Sequence, residues 1–353
     1  MNNFVYSRAA DVAEAVRQIA ADPGAKLIAG GTNLIDLMKE NVARPTRLID
    51  ISRLPLSRIE ETKDGGLRIG ALVPNSDLAY HPQIENRYPI LASAILAGAS
   101  PQLRNMASTG GNLLQRTRCY YFYDTATPCN KREPGSGCAA VTGINRQHAI
   151  LGTSQHCIAT HPSDMCVALA ALDARVRATG PGGERVIAFQ DFHRLPGDTP
   201  QIDTNLAADE IVTAVELPPE GFARNYTYLK IRDRLSYAFA LVSVAAALDL
   251  KDGRIREARI ALGGVAHKPW RDREAEALLK GEPATRDTFA RAADAILRGA
   301  RGFEHNAFKV ELARRTILRA LSQAAQATPQ SQSDKRIAGQ TPNATANQPG
   351  RPQ

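Results

Sequence analysis

The stretch "KLIAGGTNL", Lys26–Leu34, changes character halfway along. Lys26–Gly31 is a short apolar run ending in glycines, the pattern of a buried strand. "NLIDLMKE" then takes up helical spacing. Upstream, Val12, Ala15, Val16 and Ile19 fall on one helical face, and downstream "RLIDIS" (Arg47–Ser52) reads as a second strand. The first 52 residues therefore hold a β–α–β unit. At its first turn, glycines bring backbone N–H groups close to whatever sits there, and a helix N-terminus adds partial positive charge. Thr32 and Asn33 add a hydroxyl and an amide. The spacing is neither G-x-G-x-x-G nor the Walker pattern, so a plain tight turn and a phosphate cradle stand as two readings.

"STGGNLLQ" (Ser108–Gln115) repeats the theme about eighty residues later. Between the two turns, "GLRIGALV" (Gly66–Val73) is a strand, Pro74-Asn75-Ser76 a helix start and "PILASAILAGAS" (Pro89–Ser100) an apolar helix. Further on, "SDMCVALAALDARVRATG" predicts a helix and then a strand, "EIVTAVELP" (Glu210–Pro218) a strand, and Pro218, Pro219 and Gly221 a boundary. Beyond it come a strand in "NYTYLKIR", a hairpin in "VSVAAALDLKDGRIREARIALGG" with Asp252-Gly253 as its turn, and a closing helix over 304–322. No internal repeat is present. The residues divide as 1–221, 222–323 and a tail, 324–353, too poor in apolar residues to offset its ordering entropy and expected to be disordered.

Composition narrows the class. The 353 residues are 43% hydrophobic and 23% charged, ordinary for a globular protein. Net charge is +8, but the basic residues form no run of five and no stripe with interleaved aromatics, so nucleic acid is not expected as a partner. No apolar run reaches the ~18–20 residues of a membrane span. The N-terminus has neither a signal-peptide nor a twin-Arg pattern.

Four of the five cysteines, Cys119, Cys129, Cys138 and Cys157, fall in an irregular stretch at about 116–160, rich in glycine, proline and aromatics. An odd cysteine number disfavours a disulfide framework. The gaps of nine, eight and eighteen residues contain no short zinc-type pair. A four-iron cluster takes one thiolate per iron and suits spread ligands; a wide zinc site remains the other reading. Cys166, at the start of an apolar helix, reads as a small core residue. His148, His156 and His161 read as surface or neighbouring residues, with His156 as the one alternative ligand.

Taken in order, "KLIAGGTNL", "STGGNLLQ", "HPSDM", "IVTAVELP" and "YLKIRDRLSYAFALVSVA" resemble the flavin subunit of the xanthine dehydrogenase family, over roughly residues 3–322. The resemblance implies an α+β fold: a PCMH-type FAD-binding domain of two α/β subdomains, then a smaller α+β domain with an antiparallel sheet and helices. It implies FAD held by Lys26, Leu27, Ile28, Ala29, Gly30, Gly31, Thr32, Asn33 and Leu34 around the pyrophosphate. Ser108, Thr109, Gly111 and Asn112 hold the adenine side and the flavin, and Asp164 the adenosine. Val212 and Lys230 stand near the flavin, and Tyr237 reads equally as a flavin neighbour or a core residue.

Ordinary members lack the cysteine stretch. It resembles the insertion of aldehyde oxidoreductase flavin subunits, which implies a [4Fe-4S] cluster on Cys119, Cys129, Cys138 and Cys157. The same resemblance implies a large molybdopterin subunit that oxidises an aldehyde to a carboxylic acid, a small subunit with two [2Fe-2S] clusters, and an external electron acceptor. It also implies a periplasmic location, reached as a folded complex on a partner's twin-Arg signal, with the cytoplasm as the alternative. A flavin subunit of a xanthine, nicotinate or aromatic-CoA hydroxylase and a zinc-loop scaffold are the rival readings.

Overall fold

The computed structural model describes residues 1–332. Strands β1 (Val5–Arg8), β2 (Ala25–Ile28) and β3 (Arg47–Asp50) form a parallel sheet in the order β1-β3-β2. The helix Val12–Ala21 makes the crossover, and Asp11 caps it by accepting from the Glu14 N–H. Its buried residues Ala15, Val16 and Ile19 pack on Ala25, Ile49 and Ile51. β1 is the one strand here that the apolar pattern does not announce, because Val5 and Tyr6 are exposed.

The second sheet contains β4 (Ile59–Glu61), β5 (Leu67–Gly70), β6 (Arg175–Gly180), β7 (Gly183–Ala188) and β8 (Ile211–Leu217), in the order β4-β5-β8-β6-β7. All its pairings are antiparallel. β5 precedes the cysteine stretch and its partner β8 follows it. The stretch therefore leaves one layer and returns to the same layer, as an insertion does. The helices Pro89–Ala97 and Asp164–Ala171 share one core with this sheet.

The third sheet holds β9 (Tyr226–Ile231), β10 (Val242–Lys251), β11 (Arg254–Gly263) and β12 (Trp270–Arg271), antiparallel in the order β12-β11-β10-β9. Asp252 and Gly253 both have positive φ, 51° and 71°, the geometry of the tight hairpin their sequence announces. Helices Arg286–Ile296 and Phe308–Ala325 bury Phe289, Ile296, Ile317 and Leu321 against this sheet. The last helix begins at Phe308 rather than at 304. Asn306 is fully buried, accepts the Phe303 N–H and donates to the His148 and Ala149 carbonyls, so residues 303–306 are held as a turn.

Residues 324–332, expected within a disordered tail, finish that helix and then run along β9. The Lys230 N–H donates to Gln330, the Gln330 N–H to Thr227, and Gln332 to the Tyr228 carbonyl. β9 is an edge strand with unpaired backbone groups, so the polar run 328–332 can still dock there. The rest of the expected tail, 333–353, lies outside the described residues. Among the described residues no helix is long and apolar enough to cross a membrane.

Lys309 locks the insertion to the third layer. Its side chain is fully buried, and Nζ donates to the His148 carbonyl at 2.7 Å and the Gly264 carbonyl at 2.6 Å. Burial, with Arg146 adding to it, pulls its pKa down from 10.5 to about 7. Between those values the unfolded chain binds a proton that the folded chain does not, so this group makes stability rise with pH across that window. Lys309→Met leaves the Gly264 carbonyl without a donor and the His148 carbonyl with Asn306 alone. It is expected to cost about 2–3 kcal/mol at pH 9 and to flatten the rise, checked by urea unfolding of both forms at pH 7 and pH 9.

Candidate functional site

Lys26, Leu27 and Ile28 end β2, Ala29–Asn33 form the turn, and Leu34 opens the helix Leu34–Lys39. A Cβ on Gly30 would run into the Met106 carbonyl, and Gly31 has φ +72°, so both positions require glycine. Among the described residues, the amides of Gly30, Gly31, Thr32 and Asn33 donate to no protein acceptor. Asn33 Oδ1 accepts from the Arg116 N–H at 3.2 Å, and its buried Nδ2 has no partner. The turn thus presents a row of free N–H groups and one unsatisfied amide.

The second turn differs. Thr109–Leu113 is one helical turn, capped by Ser108, whose Oγ accepts from the Gly111 N–H. The Thr109 and Gly110 amides donate to the carbonyls of Val73 and Ala71, and Thr109 Oγ1 to Val73 as well. Its contribution comes from Asn112, whose Nδ2 donates to Asn75 Oδ1 at 2.7 Å. Asn112 Oδ1 accepts from Gln115 and from Ser163 Oγ, each at 2.6 Å. Asn112 therefore ties this turn to the "HPSD" turn.

Asp164 begins the helix Asp164–Ala171 and lies within bonding distance of β9. Lys230 Nζ donates to Asp164 Oδ2 at 2.7 Å and to the Ala97 carbonyl at 3.1 Å. Tyr228 donates to Asp164 Oδ1 at 2.6 Å. Burial, with the Asp164 charge beside it, holds the Tyr228 hydroxyl well above its ordinary pKa, so it stays a donor.

A cleft of about 620 Å3 joins these parts, lined by Thr32, Asn33, Gly111, Asn112, Asp164 and Lys230 among others. Six of the expected FAD residues thus share one cavity. Lys26 is exposed on β2, and Ser108 and Thr109 are buried with their hydroxyls engaged inside the protein. Val212 lies on β8 in the core of the second layer and does not line the cleft. Tyr237, also at the cleft, is 57% exposed with φ +50° and is not a core residue. The free amides, the unsatisfied Asn33 and the size of the cleft fit a ligand carrying a pyrophosphate.

Cys119, Cys129, Cys138 and Cys157 line one small cavity with Phe122, Pro128 and Ala159. Cys129 and Cys138 face each other across an isolated β-bridge. The loop wraps the thiols in N–H groups: Phe122 and Tyr121 toward Cys119, Ala140, Ile158 and Val141 toward Cys138, and Ala159 toward Cys157. Burial pushes the Cys119 thiol up to about 12 and Cys157 to about 11, and neighbouring thiols add to both. At neutral pH Cys119 and Cys157 are therefore held as thiols in this cavity. Among the described residues, the one group of His, Cys or acidic ligand atoms all within 4.8 Å is His161, Cys166 and His193. The loop sulfurs are therefore spread wider than the ~3.8 Å edge of a tetrahedral zinc–thiolate site.

His156 turns its ring toward Asp198, 3.5 Å away, and is half exposed. The histidine against the thiols is His148, with Nε2 3.1 Å from Cys119 Sγ. It is buried, and desolvation lowers its pKa to about 4, with Lys309 adding to the shift. Sequence reasoning named it only among the surface or neighbouring residues and preferred His156, because its approach to Cys119 depends on the Lys309 and Asn306 anchors. Arg118 and Tyr120 line the cleft while Cys119, between them, lines the thiol cavity.

The chain belongs to the flavoproteins of the molybdopterin dehydrogenases: residues 2–220 match the FAD binding domain in molybdopterin dehydrogenase, and 226–324 the CO dehydrogenase flavoprotein C-terminal domain. It is 54% identical to the aldehyde oxidoreductase FAD-binding subunit PaoB of Escherichia coli, over 92% of this chain and 99% of that one. It is 28% identical to the glyceraldehyde dehydrogenase medium chain of Sulfolobus acidocaldarius, over 80% and 83%. Among solved structures, carbon monoxide dehydrogenase from Hydrogenophaga pseudoflava superposes with a TM-score of 0.73 at 26% identity, covering 92% of this chain and 98% of that one. The chain is thus an oxidoreductase subunit whose cleft residues fit the FAD of its family.

The Asp164–Lys230 pair gives a direct test. Lys230→Met strands a buried carboxylate and is expected to cost about 3–5 kcal/mol, with loss of flavin from the purified protein. Adding Asp164→Leu should recover most of the stability and none of the flavin, read by thermal unfolding and by flavin absorbance per chain.

Proposed function

We propose that this chain is the FAD- and iron–sulfur-containing electron-transfer subunit of a molybdenum aldehyde oxidoreductase. In that reading an aldehyde is oxidised to a carboxylic acid on a large molybdopterin subunit. Electrons pass by two [2Fe-2S] clusters of a small subunit to this chain, and from it to an external acceptor. The observation that carries the reading is four cysteines around one cavity beside the cleft, in a chain 54% identical to an aldehyde oxidoreductase FAD-binding subunit. Identity to the putative xanthine dehydrogenase FAD-binding subunit XdhB of Escherichia coli is 28%, which favours the aldehyde class over the xanthine class.

Bound flavin supplies the exchange between one-electron carriers and a terminal acceptor. The chain's residues do the rest. The amides of Gly30–Asn33 and Asn33 Nδ2 receive the pyrophosphate, which needs donors and finds them unpaired. Asn112 and Asp164 fix the adenosine side, and Lys230 puts a positive charge on the β9 side of the cleft. Tyr237 and Phe239 stand at its exposed border, and the Arg118 guanidinium lies 5.6 Å from the Phe239 ring centre.

Cys119, Cys129, Cys138 and Cys157 are the ligands of a [4Fe-4S] cluster in this reading. The spread of their sulfurs favours a cluster over a single zinc. The ring of N–H groups and His148 Nε2 would stabilise sulfur-borne negative charge and so raise the cluster's potential. We place the complex in the periplasm, exported folded on a partner's twin-Arg signal.

Cys129→Ser in the intact complex tests the assignment. About four irons per chain should be lost, with the reduced-state EPR signal of a [4Fe-4S] centre, while molybdenum stays. Full iron content in that variant would refute the ligand set. A colourless, zinc-loaded wild type would refute the class.

A further inference from the structure

We propose that His161, Cys166 and His193 form a separate, mononuclear metal site for a thiophilic divalent cation of the zinc class, set in the core behind the turn that carries Asp164. The proposed cluster uses four cysteines and leaves Cys166 over. Cys166 is wholly buried on the helix Asp164–Ala171. His161 comes from the "HPSD" turn before that helix, and His193 follows the short helix Phe189–Phe192. One ligand atom from each lies within 4.8 Å of the other two.

The imidazoles are set as ligands rather than as core fillers. His193 is 3% exposed, and its Nε2 lies 2.9 Å from the Leu113 carbonyl. That bond places the proton on Nε2 and the lone pair on Nδ1, and Nδ1 is buried without a partner. A ring held by a backbone carbonyl with its other nitrogen free is how metal-bound histidines are oriented. His161 Nε2 is also buried and unpartnered. Its Nδ1 accepts from the Ser163 N–H in a long bond of 3.4 Å, so ligation through Nε2 requires the ring proton to move to Nδ1 at the expense of that bond. The two rings sit 4.3 Å apart at 58° without bonding each other. Buried polar atoms are normally paired, and a single cation would pair both nitrogens.

Charge and spacing agree. Burial holds both imidazoles neutral, the ligating form, and keeps the Cys166 thiol protonated. Binding forms one metal–sulfur bond and two metal–nitrogen bonds, takes a water as the fourth ligand, and releases one proton, the thiol's. Ligand atoms around zinc stand about 3.3–3.8 Å apart, so a spacing within 4.8 Å closes by small side-chain rotations. The ion would staple the "HPSD" turn to the His193 segment.

The test is zinc analysis by plasma mass spectrometry on the intact complex, grown with zinc and dialysed against a weak chelator, with iron and flavin measured alongside. Wild type should hold one zinc per chain. Cys166→Ala should hold at least tenfold less, with iron and flavin unchanged. His193→Gln keeps a donor for the Leu113 carbonyl but removes the imidazole lone pair. It should lose zinc equally, and it carries the test if the alanine variant does not fold. Wild type with under about a tenth of an equivalent, or full zinc in a folded variant, overturns the site. Because iron and flavin are read separately, that result leaves the electron-transfer reading standing.

Discussion

The buried ion pair between Asp164 and Lys230 is the constraint on which the cleft depends. The two side chains are 8% and 2% exposed, so each removes an otherwise unpaired charge for the other. Burying such a pair contributes little net stability, while losing one partner is costly. What the pair supplies is position. Lys230 belongs to the third sheet, Asp164 to the helix after the cysteine loop, and the Ala97 carbonyl, which both Lys230 and Arg232 engage, ends an earlier helix. Three segments far apart in the chain meet there. The cleft has walls from both domains, so it is complete only when the third sheet is docked.

The cysteine loop obeys the same logic by other means. A compact domain seldom carries some forty residues without regular elements unless they have a function. Here side chains take over the part of ladder bonds. Arg118 reaches Asp36 and Tyr123, which binds it to the helix after the first turn. Lys131, buried, donates to the Pro200 carbonyl and pairs with Asp203. Lys131 and Arg116 together hold the Asp203 carboxyl well below its ordinary pKa against the burial that opposes them. On the far side, Asn306 and Lys309 hold the carbonyls of His148 and Ala149. The loop is fastened to the first turn, the second layer and the third, which is what thiols need if they are to stay around one point.

Much of this was legible in the sequence, and the limit has a physical form. Apolar runs announced β2, β3, β5, β8, β9, the β10–β11 hairpin and the apolar helices Pro89–Ala97 and Asp164–Ala171. Missed were β1, whose residues are exposed; β4 and β12, which are short; β7, which is mostly exposed; and the helix Arg286–Ile296. The order of the two glycine turns, the "HPSD" turn and the β9 lysine exposed the family. Partners were not legible. Nothing near Lys131 in sequence points to Asp203, nothing near His148 to Lys309, and nothing near His161 to His193, because each pair is brought together by packing between layers.

The two glycine turns show the limit most sharply. "AGGTN" and "TGGN" read alike, yet the first keeps its amides free and the second spends them. The difference lies in what runs alongside. The segment Ala71–Val73 passes the second turn and takes the N–H groups of Thr109 and Gly110. Beside the first turn, Met106 approaches Gly30 so closely that only hydrogen fits, yet accepts none of the four amides. A pair of glycines therefore encodes closeness of approach in both places. Whether the approaching group is the protein's own carbonyl or a ligand's phosphate is decided by strand register, at the level of the tertiary fold. That is why one turn can cradle an anion while its near-copy serves to position a single asparagine.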